Sequence, residues 1–312
     1  MIDPVQAFNL DPLKKTTSIF ATTTSSSIAP PPTVIPDHTH IAQITEVGQR
    51  TLWIVFVLML LSTIVFAGLA YRTPVQKRLF HIITVFITTF ATISYFAMAT
   101  GDGISVVSHT VTHSHKYGIP DTYSTVGRQV FWARYVDWSL TTPLLLLDLA
   151  FLAGMNGSNM IVAIVADVIM ILTGLFAGYG GSDGQKWGWY AIACIAYLVV
   201  VWQLAVSGRS TAIARDSKTG AFFTALGLFT LVLWTVYPVI WGIADGGQKI
   251  SVDAEVIAYA ILDVLAKPVF GFWLLITHDR IASTNVPLEG AWSHGFGKGE
   301  GTLRVGDDDE GA

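Results

Sequence analysis

Residues 256–277 read VIAYAILDVLAKPVFGFWLLIT, an apolar run that contains two charged side chains, Asp263 and Lys267. The run is long enough to cross a bilayer, which takes about 20 residues of helix. A charged lysine at that depth costs about 2.5–3.5 kcal/mol unless it is paired or chemically modified. Lys267 therefore indicates a functional site. The alternative is a structural Lys–Asp pair, one helical turn apart, that only bridges helices.

The composition indicates a membrane protein. Hydrophobic residues make up 52% of the 312 residues and charged residues 13%, against about 25% charged residues in soluble domains. Six further segments approach the length of a spanning helix: 52–71, 79–100, 126–149, 159–179, 187–206 and 221–243. The sequence thus predicts an all-α membrane protein, a bundle of seven transmembrane helices.

Composition also narrows the classes of site and partner. The single cysteine, Cys194, excludes an intramolecular disulfide and a cysteine-based metal site. The net charge of −4 owes much to an acidic tail, 307–310, which reads as a solvated end. We therefore expect no metal site and no nucleic-acid partner.

Three segments lie outside the predicted bundle. Residues 1–45 are rich in Ser, Thr and Pro, so we expect a disordered N-terminal extension without the features of a signal peptide. The membrane domain then covers 46–280, and a cytoplasmic tail follows at 281–312. The loop 101–125 alternates polar and apolar residues, which predicts a short β-hairpin between the second and third helices.

Charges near the predicted helix ends indicate the orientation of the bundle, because Lys and Arg concentrate on the cytoplasmic side. With an outside N-terminus, the inner segments contain Arg72, Lys77, Arg78, Arg209, Arg215, Lys218 and Arg280, and the outer segments contain Arg50, Lys116, Lys186 and Lys249. We therefore expect the N-terminus outside and the C-terminus inside. The sequon at Asn156 then lies in a cytoplasmic loop and should stay unglycosylated.

The third span contains three charged residues at helical spacing. Arg134, Asp137 and Asp148 return to nearly the same helix face, so they should point inward together. Asp137 and Asp148 are about 16 Å apart along the axis, at about 1.5 Å per residue. They cannot act as a coupled pair, but two carboxyls on either side of a central cation form a possible relay.

Lys267 provides the central cation of this relay. A lysine in a dry pocket can attack an aldehyde and form a Schiff base. The resulting cation would need Asp137 and Asp263 as counterions, with Arg134 offsetting the excess negative charge. Asp148 lies among leucines and is expected to be neutral, ready to give a proton away. Aromatic residues on the same spans together suggest a slot for a flat conjugated ligand, although ordinary aromatic packing or an interfacial belt is the better explanation of any single one of them.

Three motifs resemble the microbial (type I) rhodopsins: RYVDWSLTTPLLLLD at 134–148, WTVYPVIW at 234–241 and LDVLAK at 262–267. The likeness covers all seven predicted spans, 52–277. Within that family the chain is most similar to the fungal rhodopsins, through its N-terminal extension and the segment QKWGWY at 185–190. Its residue types are those of the proton pumps and resemble bacteriorhodopsin.

The resemblance implies a chromophore, all-trans retinal, bound to Lys267 as a Schiff base. It implies that retinal contacts the following residues: Tyr95, Trp138, Thr142, Met170, Gly174, Tyr190, Trp234, Tyr237 and Trp241. Tyr95 and Arg134 would also belong to the counterion complex of Asp137 and Asp263.

The resemblance also implies a proton path. Asp, Thr and Asp at Asp137, Thr141 and Asp148 match the proton-pump pattern, with Asp137 as proton acceptor and Asp148 as proton donor. Glu255 matches a release-group glutamate. Its only candidate partner is Asp245, so release with a single carboxyl, late in the cycle, is one expectation.

Three further positions carry smaller expectations from the resemblance. Leu145 favours green absorption, Asp167 is expected to make a structural hydrogen bond near the ring of retinal, and Pro268 should distort the helix turn after Lys267.

The function implied is a light-driven outward proton pump in the plasma membrane, not an enzyme. Its partners would be protons and membrane lipids, with a homo-oligomer such as a trimer as a possibility. A sensory photoreceptor that signals through a partner is the alternative, and the carboxyl at Asp148 favours transport over it. A chloride pump is disfavoured because it would lack the charge of Asp137. A receptor or transporter of another fold would make Lys267 an accidental pair and leave the protein colourless.

Overall fold

The computed structural model describes residues 38–114 and 121–281. Within these residues, seven helices are long and apolar enough to cross a membrane. They are α1 Glu46–Arg72, α2 Leu79–Thr100, α3 Trp132–Ala153, α4 Gly157–Gly178, α5 Asp183–Arg215, α6 Ser217–Gly246 and α7 Val252–Arg280. The predicted seven-helix bundle is confirmed. The helices extend beyond most of the predicted segments because their polar end turns are helical too.

Side chains at the helix starts explain where the helices begin. Thr45, Asn156, Ser182 and Ser251 each precede a helix and accept a hydrogen bond from a backbone N–H of its first turn. This bond satisfies one of the donors that a helix start leaves without an intrahelical partner. Gly101 ends α2 with a φ of 92°, a left-handed conformation that glycine adopts without strain.

A three-stranded sheet caps one end of the bundle, which we call the sheet end. Strands β2, Ser105–His113, and β3, Thr122–Val130, pair antiparallel. This pairing confirms the predicted hairpin. Strand β1, His38–Ala42, pairs parallel with the other edge of β3.

Two boundaries differ from the sequence prediction. The third span was predicted at 126–149, but 126–130 belong to β3, and α3 begins at Trp132. Strand β1 falls in the predicted extension 1–45, of which 1–37 lie outside the described residues. The predicted cytoplasmic tail, 281–312, also lies outside the described residues after Ile281. The division of the chain into extension, membrane domain and tail therefore stays a prediction.

The interior of the bundle contains charge, and its outer surface is apolar. Large hydrophobic side chains such as Ile54, Leu198 and Leu228 are exposed on the outer helix faces, where lipid solvates them. The buried charged residues of the bundle and sheet are Arg128, Arg134, Asp137, Asp148, Asp167, Lys186, Asp245, Glu255, Asp263 and Lys267. Because an ionisable residue inside a membrane bundle is expensive, this interior is the place to look for function.

Helix α7 contains a local π turn at Leu265–Val269. The N–H of Phe270 donates to the carbonyl of Leu265, five residues earlier, and Pro268 lies within the turn. A wider turn accommodates a proline, which cannot donate a backbone hydrogen bond. The distortion expected at Pro268 therefore takes the form of a π turn that includes Lys267.

Candidate functional site

The amine of Lys267 lies between two carboxylates at the centre of the bundle. Its Nζ is 3.0 Å from Oδ2 of Asp137 on α3 and 2.8 Å from Oδ1 of Asp263 on α7. The three residues are 2%, 2% and 0% exposed, respectively. A buried charge needs a partner of opposite sign, and here one cation faces two anions. The structure thus brings together the three residues that the sequence placed at the centre of the site.

The two carboxylates have different surroundings. Asp263 accepts hydrogen bonds from the hydroxyl groups of Tyr95, at 2.7 Å, and Tyr237, at 2.8 Å, and the indole N–H of Trp138 is 3.4 Å away. Oδ1 of Asp137 has no hydrogen-bond partner within the described part of the chain. Asp263 is therefore held as an anion by three side-chain donors in addition to Lys267, whereas Lys267 is the side chain that contacts Asp137 in the described residues.

Thr141 lies one turn after Asp137 and is fully buried. Its hydroxyl donates to the backbone carbonyl of Asp137, at 2.9 Å, and not to the carboxylate. Thr141 therefore contacts the backbone of Asp137, and not its carboxylate.

An apolar slot leads away from Lys267. A first cavity contains Lys267 in its lining, and a second continues toward α5 and α6. Both share Trp138, Met170 and Tyr237 as wall residues.

The predicted retinal contacts fall on this slot with one exception. Trp138, Thr142, Met170, Gly174, Tyr190, Trp234, Tyr237 and Trp241 line one or both cavities. Tyr95 lines neither and instead donates to Asp263. Leu145 also lines the first cavity.

The walls of the slot suit a flat conjugated aldehyde. Tyr190 and Trp241 are stacked, with ring centroids 4.8 Å apart, and Tyr237 meets Trp138 edge to face at 5.2 Å. These rings form an apolar slot that ends on the amine of Lys267, which can condense with an aldehyde to a Schiff base. The residues present therefore fit retinal attached to Lys267.

Two further acids of the bundle are buried away from Lys267. Asp148 on α3 is 0% exposed, and neither of its carboxyl oxygens has a hydrogen-bond partner in the described residues. Asp167 on α4 accepts a hydrogen bond of 2.6 Å from the hydroxyl of Thr142, at the wall of the slot. A carboxyl without any donor is best accommodated in the neutral form. Asp148 therefore has the surroundings of a neutral acid in the half of the bundle opposite the sheet.

Arg134 forms an ion pair with Glu255. Its Nη1 donates to Oε1 of Glu255 at 2.8 Å, and among the described residues it makes no ion pair within 4.0 Å with Asp137 or Asp263. The structure pairs Arg134 directly with Glu255, and the expectation that its charge offsets the two carboxylates beside Lys267 stays a prediction.

Sequence reasoning missed two residues beside Arg134. Arg128 on β3 donates from Nη2 to Oε2 of Glu255 at 2.8 Å, and its Nε is 3.5 Å from Oδ1 of Asp245. The ring of Tyr259 lies 4.3 Å from the guanidinium of Arg134. Tyr259 is one turn before Asp263, a spacing that could have identified it. No sequence pattern identifies Arg128, because its contact with Glu255 depends on how β3 is placed against the helices.

Comparison with known proteins identifies the family. The model for the family described as bacteriorhodopsin-like protein matches residues 47–281. The chain belongs to this family of microbial rhodopsins. Membership implies a retinal chromophore and makes the chain an integral, multi-pass membrane protein.

Relatives and solved structures of this rhodopsin family agree with the fold. Opsin-1 of Neurospora crassa is 51% identical over 99% of this chain and 100% of its own length. A crystal structure described as the light-driven proton pump LR (Mac) from Leptosphaeria maculans is 53% identical, with a TM-score of 0.74 over 78% of this chain and 99% of that one. The light-driven proton pump rhodopsin of Coccomyxa subellipsoidea is 36% identical, with a TM-score of 0.69 over 76% and 100%.

Proposed function

We propose that this rhodopsin is a light-driven outward proton pump whose chromophore is all-trans retinal on Lys267. One observation carries the proposal: the amine of Lys267 lies 3.0 Å from the carboxylate of Asp137. A proton on that nitrogen thus has an acceptor within hydrogen-bond distance. Two of the similar solved structures are described as light-driven proton pumps, which supports the same function here.

Retinal, when bound, would supply light absorption and a change of shape that alters the direction of the proton on Lys267. The chain supplies the acid–base groups. Asp137 takes the proton from the nitrogen of Lys267, and the carboxylate of Asp263 stays ionised because Tyr95 and Tyr237 donate to it. The two carboxylates therefore have distinct roles, acceptor and fixed counterion.

Asp148 returns a proton to the Lys267 nitrogen from the opposite half of the bundle. Its burial and its lack of donors in the described residues favour the protonated form at rest. Asp137 and Asp148 are separated by about 16 Å along α3. Acceptor and donor are thus on opposite sides of Lys267, which gives transport a direction if access switches between the two transfers.

The sheet end provides the exit of the path. Arg134 and Glu255 form a buried pair there at 2.8 Å, on the same helix as Asp137 and on the helix of Lys267, respectively. A proton that leaves Asp137 on this side meets the carboxylate of Glu255. We propose that the sheet end faces the outside, in accordance with the positive-inside distribution of Lys and Arg.

We further propose the plasma membrane as the location, with protons and lipids as the partners and a homo-oligomer such as a trimer as the assembly. The apolar outer surfaces of the helices are compatible with lipid and with contacts between copies.

The test of the function is light-induced acidification. Cells that express the chain with all-trans retinal are illuminated in a lightly buffered suspension, with and without a protonophore. Acidification that the protonophore abolishes is the expected result. A coloured protein that changes no pH in the light would contradict the pump and favour the sensory photoreceptor.

A further inference from the structure

A pair of buried histidines lies at the end of the bundle opposite the sheet. His81, in the first turn of α2, is 1% exposed, and His278, in the last turn of α7, is 3% exposed. Their ring centroids are 6.4 Å apart. Histidine is less often fully buried than the apolar residues, and its charged form is costly to bury. Two of them side by side in the interior therefore require an explanation.

The two histidines share this end of the bundle with Asp148. In the described residues, the other buried acidic and basic side chains lie beside Lys267, in the wall of the slot or at the sheet end. His81 and His278 are thus the buried acid–base groups, next to Asp148, of the half from which the proposed pump takes its proton.

Charged residues face the pair on its outer side. Nε2 of His81 is 3.4 Å from the hydroxyl of Thr73 and 3.9 Å from Oδ1 of Asp279, whose side chain is 59% exposed. The backbone carbonyl of Lys77 interacts with both imidazoles, and the charges that act on the pair are those of Asp279, Lys77 and Arg78. The rings are therefore connected to the solvent side by polar groups.

The inner side of the pair is apolar. The ring of Phe80, 1% exposed, packs against His278 with ring centroids 4.6 Å apart. Phe80 belongs to the same buried core cluster as Leu145 and Leu149, which lie on either side of Asp148 along α3. The two histidines thus lie between a charged surface and the apolar core around Asp148.

His81 and Asp148 lie at the same depth on neighbouring helices. The hydroxyl of Ser94 on α2 donates to the carbonyl of Ala133 on α3, at 2.9 Å, which fixes the two antiparallel helices against each other. Away from this bond and from the sheet, His81 lies about 20 Å along α2 and Asp148 about 22 Å along α3, at about 1.5 Å per residue. The histidine pair is therefore level with the proposed proton donor.

An imidazole suits the exchange of protons with water better than a sealed carboxyl does. Asp148 is 0% exposed, so it needs an intermediate group to recover a proton from solution. Histidine is the side chain whose charge normally changes between about pH 5 and pH 8, and it can bind a proton on one ring nitrogen and lose one from the other. The pair has the position and the chemistry of such a group.

We propose that His81 and His278 form a proton-entry pair, which binds a proton from the solution at this end and passes it to the carboxylate of Asp148. The inference rests on the proposed proton pump and adds to it the group that supplies Asp148. The proton moves from water to an imidazole nitrogen and from there to a carboxylate oxygen of Asp148, which leaves a neutral imidazole and a neutral acid. The transfer takes place after Asp148 has given up its own proton.

The test measures proton uptake after a flash, with a pH-sensitive dye on the pigment in nanodiscs. His81→Gln with His278→Gln is expected to slow uptake by up to about 10²-fold, the lower end of what a positioned acid or base contributes. Uptake should then vary in proportion to the proton concentration of the solution, and added imidazole buffer should accelerate it. His109→Gln, at an exposed histidine of the sheet end, is the matched control and should keep the wild-type rate.

A double-mutant comparison shows whether the pair acts through Asp148. In an Asp148→Asn background, the two histidine substitutions should add little further slowing, because the group that they supply is gone. A purely structural role predicts a lower melting temperature and an unchanged uptake rate, and that result in folded, coloured His81→Gln with His278→Gln would overturn the proposal.

Infrared difference spectra of the wild-type pigment with isotope-labelled histidine test the pair without any substitution. We expect an imidazole band that changes at the rate at which the carboxyl band of Asp148 recovers. Recovery of Asp148 without any change in a histidine band would also overturn the proposal. Absence of net light-driven proton movement would instead overturn the proposed pump, while the histidine band still reports on the pair.

Discussion

Lys267 is the residue that joins the two halves of the central site, because its amine contacts both carboxylates. We predict that Lys267→Ala, reconstituted with all-trans retinal, shows no visible absorption band, since the slot then has no amine to bind the aldehyde. Absorption spectra of the purified protein measure this. Lys218→Ala, at an exposed lysine at the start of α6, should form the full pigment. A coloured Lys267→Ala protein would show that the attachment is elsewhere.

Asp148 is separated from solvent and from any donor within the described residues. We predict that Asp148→Asn slows the decay of the deprotonated photoproduct by about 10²-fold or more, because a positioned general acid contributes about 10²–10⁴-fold to a proton transfer. Without an internal donor, the decay should also become slower as the pH rises. Flash photolysis at several pH values measures both effects, with Asp183→Asn, an exposed acid, as control. A decay that Asp148→Asn leaves unchanged would exclude Asp148 as the donor.

At the level of single residues, the sequence predicted the centre of the site and not its outer part. Asp137, Asp263 and Lys267 follow from helical spacing within two spans, because helix geometry fixes which side chains face inward. Arg128 could not be found in this way. It contacts Glu255 from a strand that is separated from α7 by more than a hundred residues of chain, and no local pattern encodes that contact.

Helices α1, α2 and α7 meet where Gly271 lies, and their packing depends on the absence of a side chain there. A Cβ at Gly271 would be 2.6 Å from Cγ2 of Thr84 and 2.9 Å from Cζ of Phe66. We predict that Gly271→Ala destabilises the protein by about 1–3 kcal/mol, as other overpacked cores are destabilised. Thermal loss of the visible band in detergent measures the effect. Gly68→Ala, where a Cβ meets nothing within 4 Å, is the matched control and should not lower the melting temperature.

The start of α1 is joined to α7 by the carboxylate of Asp253. Its oxygens accept from the backbone N–H and the hydroxyl of Thr45, at 2.8 and 2.7 Å, and from the N–H of Gly48 at 3.0 Å. An anion at a helix N-terminus stabilises the helix through these donors and the helix dipole. We predict that Asp253→Ala lowers stability by about 0.5–2 kcal/mol, as loss of a helix cap does.

The same thermal measurement checks this prediction. Asp102→Ala, at an exposed aspartate of the sheet end that accepts a hydrogen bond from Thr100, serves as control and should change the melting temperature little. Equal melting temperatures for Asp253→Ala and the wild type would show that the bridge between α1 and α7 contributes nothing.

Among the elements, hydropathy was sufficient for the helices and insufficient for the sheet. Each spanning helix is a long local pattern, so its existence can be read from the sequence. The hairpin of β2 and β3 is also local and was predicted. Strand β1 pairs with β3 across more than eighty residues, so alternation alone could not indicate it. The start of the third helix was misplaced because β3 ends in apolar residues that continue directly into α3.

At the scale of the whole molecule, the charges of the bundle form an axis. Asp148 lies in the half opposite the sheet, Lys267 and its two carboxylates lie at the centre, and the arginine cluster lies at the sheet end. An axis of this kind transports protons in one direction only if the molecule has one orientation in the membrane. Orientation is therefore as much a part of the function as the site.

Glycosylation measures that orientation. The sequon at Asn156 begins α4 at the end opposite the sheet, and we predict that it stays unmodified in a eukaryotic host because this end faces the cytoplasm. Thr110→Asn creates a sequon with Thr112 on the exposed face of β2, at the sheet end, and is expected to gain one glycan. A mobility shift that an endoglycosidase reverses detects it. A glycan on Asn156 in the wild type, with none on Thr110→Asn, would show that the protein has the opposite orientation. Asp148 would then lie in the outer half of the membrane, and the proposed pump would move protons inward.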